Sequence, residues 1–305
     1  MILVIGASSS LGRAVVPLLR SKNVPLRISS RHPDTLQTFA GPGVEIVQAD
    51  LLDRDSLVRA CADAEKVFAA THSVMGHGST SSDHVDLEGG CTLIDVAKEA
   101  GVQHFVYTSA LGVSLDADTH FYRNKAKVEQ HLLESGLPYT ILRPAAFFVP
   151  HTVLHSKAFT EPSLALQEFL HGHSATFYGH GENPRNFVAV EDVARYAALA
   201  LTDPCAMNQI IEIGGPENLT VKEVAAAYGR ALGHSMELHP QSLVMPRIMH
   251  VLMGPFNAGM QDVMQIVIDN DSIPSPFDAA PNAQRYGVTP TYLEQWVAGQ
   301  IAVPH

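Results

Sequence analysis

The residues of this chain best placed for chemistry are Gly6-Ala7-Ser8-Ser9-Ser10-Leu11-Gly12. Small residues at this spacing leave backbone N–H groups uncovered, and a helix starting within the turn adds partial positive charge, so the segment is suited to an anionic oxygen. Gly6 fits the tight turn and Gly12 the close contact of helix with strand. The middle small place holds Ser9, whose Cβ keeps φ negative and whose hydroxyl can donate to a phosphate oxygen. Ser8, Ser10 and Leu11 supply the neighbouring amides. Arg31 is a second candidate, because a guanidinium pairs with phosphate and stacks on a flat base. Asp50, followed by Leu51, offers a carboxylate that can accept from an exocyclic amine. Ala70 and Thr71 are small enough to let an extended ligand lie across them. Together these residue types describe a nucleotide site.

The elements that must position them follow from hydrophobic periodicity. Residues 1–5 form an apolar, β-branched run, and beyond Gly12 the pattern turns helical, with Ala14, Val15, Leu18 and Leu19 on one stripe. Strand, small-residue turn and helix in that order open a dinucleotide-binding βαβ unit. Further strands are expected over 25–29, 44–47, 66–70, 104–108 and 139–142, with helices over 34–39, 55–64, 87–100 and 122–135. This alternation predicts a parallel sheet covered on both faces, with all strand C-termini on one edge. Arg31 then follows the second strand, facing the adenosine ribose. An acidic residue there would select NAD; none is present, so Arg31 favours NADP. Asp50 falls at the third strand tip, with Asp53 or Asp55 as a helix cap, and Ala70 and Thr71 at the fourth. The loop 72–84 is long for its place and reads as a rim or lid. Its His72, His77 and His84 are acid–base candidates, or solvated polar residues.

Composition bounds the function. The chain has 305 residues and a formal net charge of -11 with no local basic patch, which argues against a nucleic-acid partner. No apolar run reaches the ~18–20 residues of a membrane span, and the first strand starts at Met1, so neither a membrane anchor nor a leader is expected. Three widely spaced cysteines read as reduced thiols of a cytoplasmic protein. Sixteen histidines show no metal-ligand spacing, so no metal is expected.

Residues 94–109, 125–129, 135–144, 186–194 and 211–220, including Tyr107-Thr-Ser109, Lys125-Ala-Lys-Val-Glu129 and Leu142-Arg-Pro144, resemble the atypical short-chain dehydrogenase/reductases. The NmrA-like branch is the most similar. The resemblance implies NAD(P) binding and hydride transfer assisted by a Tyr-x-x-x-Lys pair and a serine after the fifth strand. With Lys125 as that lysine, the tyrosine place holds Phe121, and Tyr122 is turned from it by ~100° on a helix. The serine place falls on Ser109 or, in another register, on Ala110. In related phenylpropanoid-type reductases the lysine alone is implied as base. Lys125 is thus a ribose contact, a base or a surface residue. The resemblance also places 143–148 beside the nicotinamide, so Pro144 and Phe147 join the cofactor residues. Phe147 and Phe148 wall the pocket or belong to the core.

The expected fold is a doubly wound α/β Rossmann sheet with a smaller, mostly helical C-terminal substrate lobe. Residues 1–149, with 183–216 returning to it, form the cofactor domain; 150–182 and 217–305 form the lobe. Within the lobe, a helical stretch is expected near 163–171, a capping box at Thr220-x-x-Glu223, an apolar stretch over 243–268 and a last helix carrying Trp296. Met245, Met249, Met253, Met260 and Met264 lie in that apolar stretch, as core or as pocket lining. The expected function is NADP(H)-dependent reduction of a small apolar carbonyl, quinone or enone compound. The alternative is a non-catalytic NADP(H)-binding redox sensor acting through a regulatory protein partner.

Overall fold

The computed structural model describes residues 1–148 and 174–302. The helical stretch expected near 163–171 lies outside them. Seven parallel strands form the main sheet: β1 (Ile2–Ile5), β2 (Leu26–Ser30), β3 (Val44–Gln48), β4 (Lys66–Ala69), β5 (His104–Thr108), β6 (Tyr139–Pro144) and β10 (Gln209–Ile213). Their spatial order is β10-β6-β5-β4-β1-β2-β3. The chain winds outward from β1 in both directions, and the crevice beyond the ends of β1 and β4 is the switch point where ligands bind in such sheets.

Alternation along each strand feeds two cores. Ile2, Val4, Leu26, Ile28, Phe68, Val106 and Leu142 face one side, under α1 (Ser10–Ser21) and α5 (Val190–Thr202). Leu3, Ile5, Val67, Phe105, Tyr107 and Ile141 face the other, under α2 (Arg54–Cys61), α3 (Gly89–Glu99) and α4 (His120–Ser135). Burial on both faces explains the near-continuous apolar runs of these strands. Asp53, not Asp55, caps α2, accepting from the amides of Asp55 and Ser56. Residues 34–39 form a 3-10 rather than an α-helix, and a π-helical turn over Asp83–Glu88 leads into α3. The expected loop 72–84 is therefore structured at its end and carries a short 3-10 turn, Gly78–Thr80.

The remaining strands make two small sheets. β7 (Ala146–Phe147), β9 (Arg185–Val188) and β11 (Asn218–Leu219) form one; β8 (Ser174–Tyr178) and β12 (Glu237–Gln241) form the other. A third core joins Phe148, Phe187, Val224, Tyr228, Leu293 and Val297. It is closed by α6 (Val221–Leu232), whose Thr220–Glu223 capping box forms as expected, and α10 (Leu293–Ala302). Trp296 lies 5.9 Å from the ring of Phe148, so Phe148 belongs to the core. The apolar stretch 243–268 is not one element. It divides into α7 (Val244–Met253) and α8 (Ala258–Ser272), with Gly254, Pro255 and the capping Asn257 between them. Its methionines are not core: Met245 is 60% exposed and the other four are partly exposed. A short helix, α9 (Ala280–Tyr286), precedes the last one.

Candidate active site

Gly6 has φ +80°, and a Cβ on it would stand 2.8 Å from the Ala70 carbonyl oxygen. A Cβ on Gly12 would stand 2.3 Å from the Gly6 carbonyl oxygen. Both glycines are therefore required, the first for a left-handed turn and the second so that α1 can meet the end of β1. Ser9 has φ -67° and is the N-cap of α1. Its hydroxyl accepts from the Gly12 amide at 3.0 Å and donates to the Ala70 carbonyl at 3.1 Å. This corrects the expectation that the hydroxyl serves a phosphate: the helix start and the adjacent strand consume it. Among the described residues, the amides of Ser8, Ser10 and Leu11 donate to no carbonyl. These amides sit at a helix start, where the dipole favours an anion.

The adenosine side is built by the tips of β2 and β3. Arg31 is exposed, and its carbonyl accepts from Gln48. Ser30 donates to the Ser8 hydroxyl at 3.2 Å, tying this tip to the glycine turn. Arg13, which sequence reasoning missed, donates to the carbonyls of Ser8 and Thr35 and so braces the turn against the segment after Arg31. Asp50 accepts from the Leu52 amide at 3.1 Å, which fixes its carboxylate at the tip, and Leu51 is buried behind it. Gly89 on α3 packs against Leu51.

At the other end of the crevice Lys125 is 2% exposed, so it is no surface residue. Its Nζ donates to the Thr71 carbonyl at 3.0 Å and the Thr108 carbonyl at 3.2 Å, and lies 3.2 Å from Asp86 Oδ1. Two carbonyls thus accept from this nitrogen, and the Asp86 carboxylate lies beside it as an opposite charge. Asp86, 4% exposed, is the counter-ion that sequence reasoning missed; its second oxygen accepts from the Ser73 amide. The only signal was an acidic residue just ahead of an apolar helix, which ordinarily marks a solvated helix start. The rings of Tyr107 and Phe121 lie 4.9 Å and 5.7 Å from the Lys125 nitrogen. The place of the relay tyrosine is thus filled by a phenyl ring.

Tyr122 stands apart from this cluster. Its ring rests 5.7 Å from that of Phe121, and burial pushes its pKa up, with Arg185 opposing. Ser109 and Thr108, at the end of β5, are buried, and their hydroxyls have no partner among the described residues. Such unspent capacity is rare in a folded protein and fits a polar ligand. Pro144, buried, ends β6, and Phe147, half-buried, lies on β7. Of the loop histidines, His72 keeps solvent access while crowding lowers its pKa, helped by the Lys125 charge and opposed by Asp86. His84 pairs with Glu88 at 2.8 Å on the surface, which raises its pKa. His77 is exposed. Asp262 of α8, also missed, is 2% exposed and accepts from the amides of His120 and Phe121, capping the helix that carries Lys125.

The NmrA-like family model matches residues 1–266. The chain is 30% identical to an NAD(P)H azoreductase from Xenophilus azovorans over 76% of this chain and 74% of that one. It is 31% identical to a (4-alkanoyl-5-oxo-2,5-dihydrofuran-3-yl)methyl phosphate reductase from Streptomyces griseus over 77% and 75%. In structure it resembles an NADPH-dependent quinone oxidoreductase from Escherichia coli complexed with NADPH, with a TM-score of 0.75, 22% identity, and coverage of 99% and 100%. The doubly wound sheet, the glycine turn and a family match running from the first strand through most of α8 agree: this chain belongs to the NmrA-like family.

Proposed function

We propose that the protein is an NADP(H)-dependent reductase of a small, largely apolar carbonyl, quinone or enone compound. The observation that carries this reading is the pairing, across one crevice, of a glycine turn with uncommitted amides and a buried Lys125 ammonium. The residues present fit a dinucleotide. The turn has no room for added Cβ atoms, and the orphan hydroxyls of Thr108 and Ser109, which with that of Tyr107 make three in a row at the end of β5, offer a polar ligand its partners. Ser8, Ser10 and Leu11 would hold the pyrophosphate, Arg31 the 2′-phosphate, Asp50 the adenine, and Thr108 and Ser109 the groups near Lys125. Ala70 and Thr71 would underlie the chain of the ligand, and Pro144 and Phe147 would border its reactive ring. The nicotinamide, when bound, supplies the hydride.

Lys125 contributes a fixed positive charge that Asp86 and two carbonyls hold in place. Both hydrogen bonds and the ion pair anchor the nitrogen to protein groups, so we assign it to orientation and electrostatics rather than proton abstraction. The proton for the reduced product comes from water or from His72. A quinone or azo acceptor needs little acid assistance, which suits a site with Phe121 in place of the tyrosine. The relatives named above, which reduce an azo compound and an alkanoyl furanone phosphate, support a conjugated acceptor.

Phe121 also favours the second reading, a redox sensor that binds the dinucleotide without turnover. The test is to measure NADPH and NADP⁺ binding, then NADPH oxidation with quinones, azo dyes and aldehydes. Tight binding with turnover supports the reductase, tight binding without turnover supports the sensor, and failure to bind either nucleotide defeats both.

A further inference from the structure

The helix α7 is apolar on two faces, and only one of them is covered. Pro246 is buried, Met249 and Met253 are half-buried, and His250 hydrogen-bonds the Gln261 carbonyl of α8 at 3.2 Å, so this side of α7 lies on α8. On the other side Val244, Met245, Ile248, Val251, Leu252 and, just past the helix, Phe256 are exposed, Val251 by 71% and Phe256 by 83%. Arg247 is the one exposed polar residue of the helix. A helix that is apolar all round is ordinarily buried all round. Val244, Ile248 and Val251 recur at steps of four and three, and Met245, Ile248 and Leu252 at steps of three and four, which is the seam of a helix packed along one other helix. Together the six residues expose about 700 Å², more than the largest patch of a typical monomer and close to the ~800 Å² that each partner gives to a standard interface.

The face fits a second copy of this chain. The formal net charge is -11, yet no Asp or Glu occurs between Glu237 and Asp262, so two copies can meet here without opposing carboxylates from this stretch. About His250 the pattern reads alike in both directions: Ile248 answers Leu252, and Val244 answers Phe256. A two-fold contact needs this self-complementarity, residue i on j and j on i. It also keeps the two Arg247 side chains about 9 Å apart along the helix axis. A lipid surface is a poorer match, because a helix lying on one carries several Lys or Arg and commonly Trp, whereas α7 has one Arg and neither Lys nor Trp.

Behind this face the hairpin reaches the candidate site. A Cβ on Gly259 would stand 2.4 Å from the Gly76 carbonyl oxygen, so the start of α8 lies directly on the loop after β4. Asp262, one turn on, accepts from the amides of His120 and Phe121 at the start of α4. We propose that the outer face of α7 is the contact between two copies of this chain, packed as an antiparallel helix pair about a two-fold axis level with His250, and that this contact holds the α7–α8 hairpin on the loop after β4 and on the start of α4. The proposal stands whether or not the site turns over a substrate.

The test is sedimentation equilibrium of the full chain at micromolar concentration, with amide hydrogen exchange as the second readout. The wild type is expected to be a dimer. Val251→Glu places a carboxylate on each side of the axis and should raise the dimer dissociation constant about hundredfold or more. Val58→Glu, at an exposed apolar residue of α2, should leave it unchanged. In a Cys205→Ser background, which removes the exposed thiol, Val251→Cys should give a disulfide-linked dimer on mild oxidation. In the dissociated Val251→Glu variant the amides of His120 and Phe121 should exchange about threefold or more faster, because the hairpin that covers them has lost its brace. A monomeric wild type would overturn the proposal, whether its α7 face is taken by residues 149–173 of the same chain or adsorbs to vesicles of phosphatidylcholine and phosphatidylglycerol. So would a dimer that Val251→Glu leaves intact. Unchanged exchange at Phe121 in the dissociated variant would overturn the bracing role.

Discussion

At the scale of single residues the account turns on Lys125 and what surrounds it. Asp86→Asn keeps the shape of the carboxylate and removes its charge, leaving a buried ammonium with only carbonyl partners. Breaking a buried pair from one side costs about 3 kcal/mol, to be seen as a lower midpoint in urea unfolding, together with weaker NADP⁺ binding. An unchanged midpoint would mean that the pair contributes nothing. Phe121→Tyr returns a phenol to the place facing Lys125, whose charge favours the phenolate. The expected outcome is a gain in kcat/KM of about tenfold with aldehydes, and a pH dependence set by the new phenol. The Phe121 position was legible because four-residue spacing on a helix is a local rule. Asp86 was not, because nothing within the 87–100 pattern says that its carboxylate turns inward to meet a lysine from another helix.

At the scale of elements, β1, its turn and α1 form a single unit. Gly12→Ala drives a Cβ into the Gly6 carbonyl at 2.3 Å. Since backbone cannot yield cheaply there, the variant should lose about 2–4 kcal/mol of stability and its nucleotide binding together. Ser9→Ala separates the two effects. It removes the cap of α1 and should cost about 1 kcal/mol, while leaving NADP⁺ affinity within about threefold. A larger loss of affinity would return the Ser9 hydroxyl to the phosphate site. The glycine turn could be read from sequence since strand, turn and helix are contiguous. The division of 243–268 into α7 and α8 was harder to see, because an apolar run carries no mark of whether it continues or folds back. Gly254, Pro255 and Asn257 were the available signal. Once the run folds back, its methionines are divided between two helices and stay partly exposed, so the core expectation does not describe them.

At the scale of the whole molecule, one buried histidine ties the far strands together. His104 of β5 hydrogen-bonds Thr140 of β6 at 2.9 Å, and Thr140 in turn donates to the Ala206 carbonyl ahead of β10. Burial, then the Lys66 charge, pushes its pKa down to about 4 from the ordinary value of 6.5. The unfolded chain therefore takes up a proton first as pH falls. The stability from this site is complete above the unfolded value and is lost toward the folded one. Unfolding free energy should drop by about 2 kcal/mol from this site between about pH 7 and pH 5, and His104→Gln should flatten that slope. The alternation that gives the doubly wound sheet was visible along the first half of the chain. The long-range contacts of Arg185 and Asp262 were not, since they join residues far apart in sequence. The central claim remains that the tips of β1 and β2 cradle a nucleotide carrying a 2′-phosphate, and its most direct test compares NADPH and NADH dissociation constants for the wild type and Arg31→Asp. The account predicts a wild-type preference for NADPH of about tenfold or more that Arg31→Asp removes or reverses. A preference that survives the substitution unchanged would contradict it.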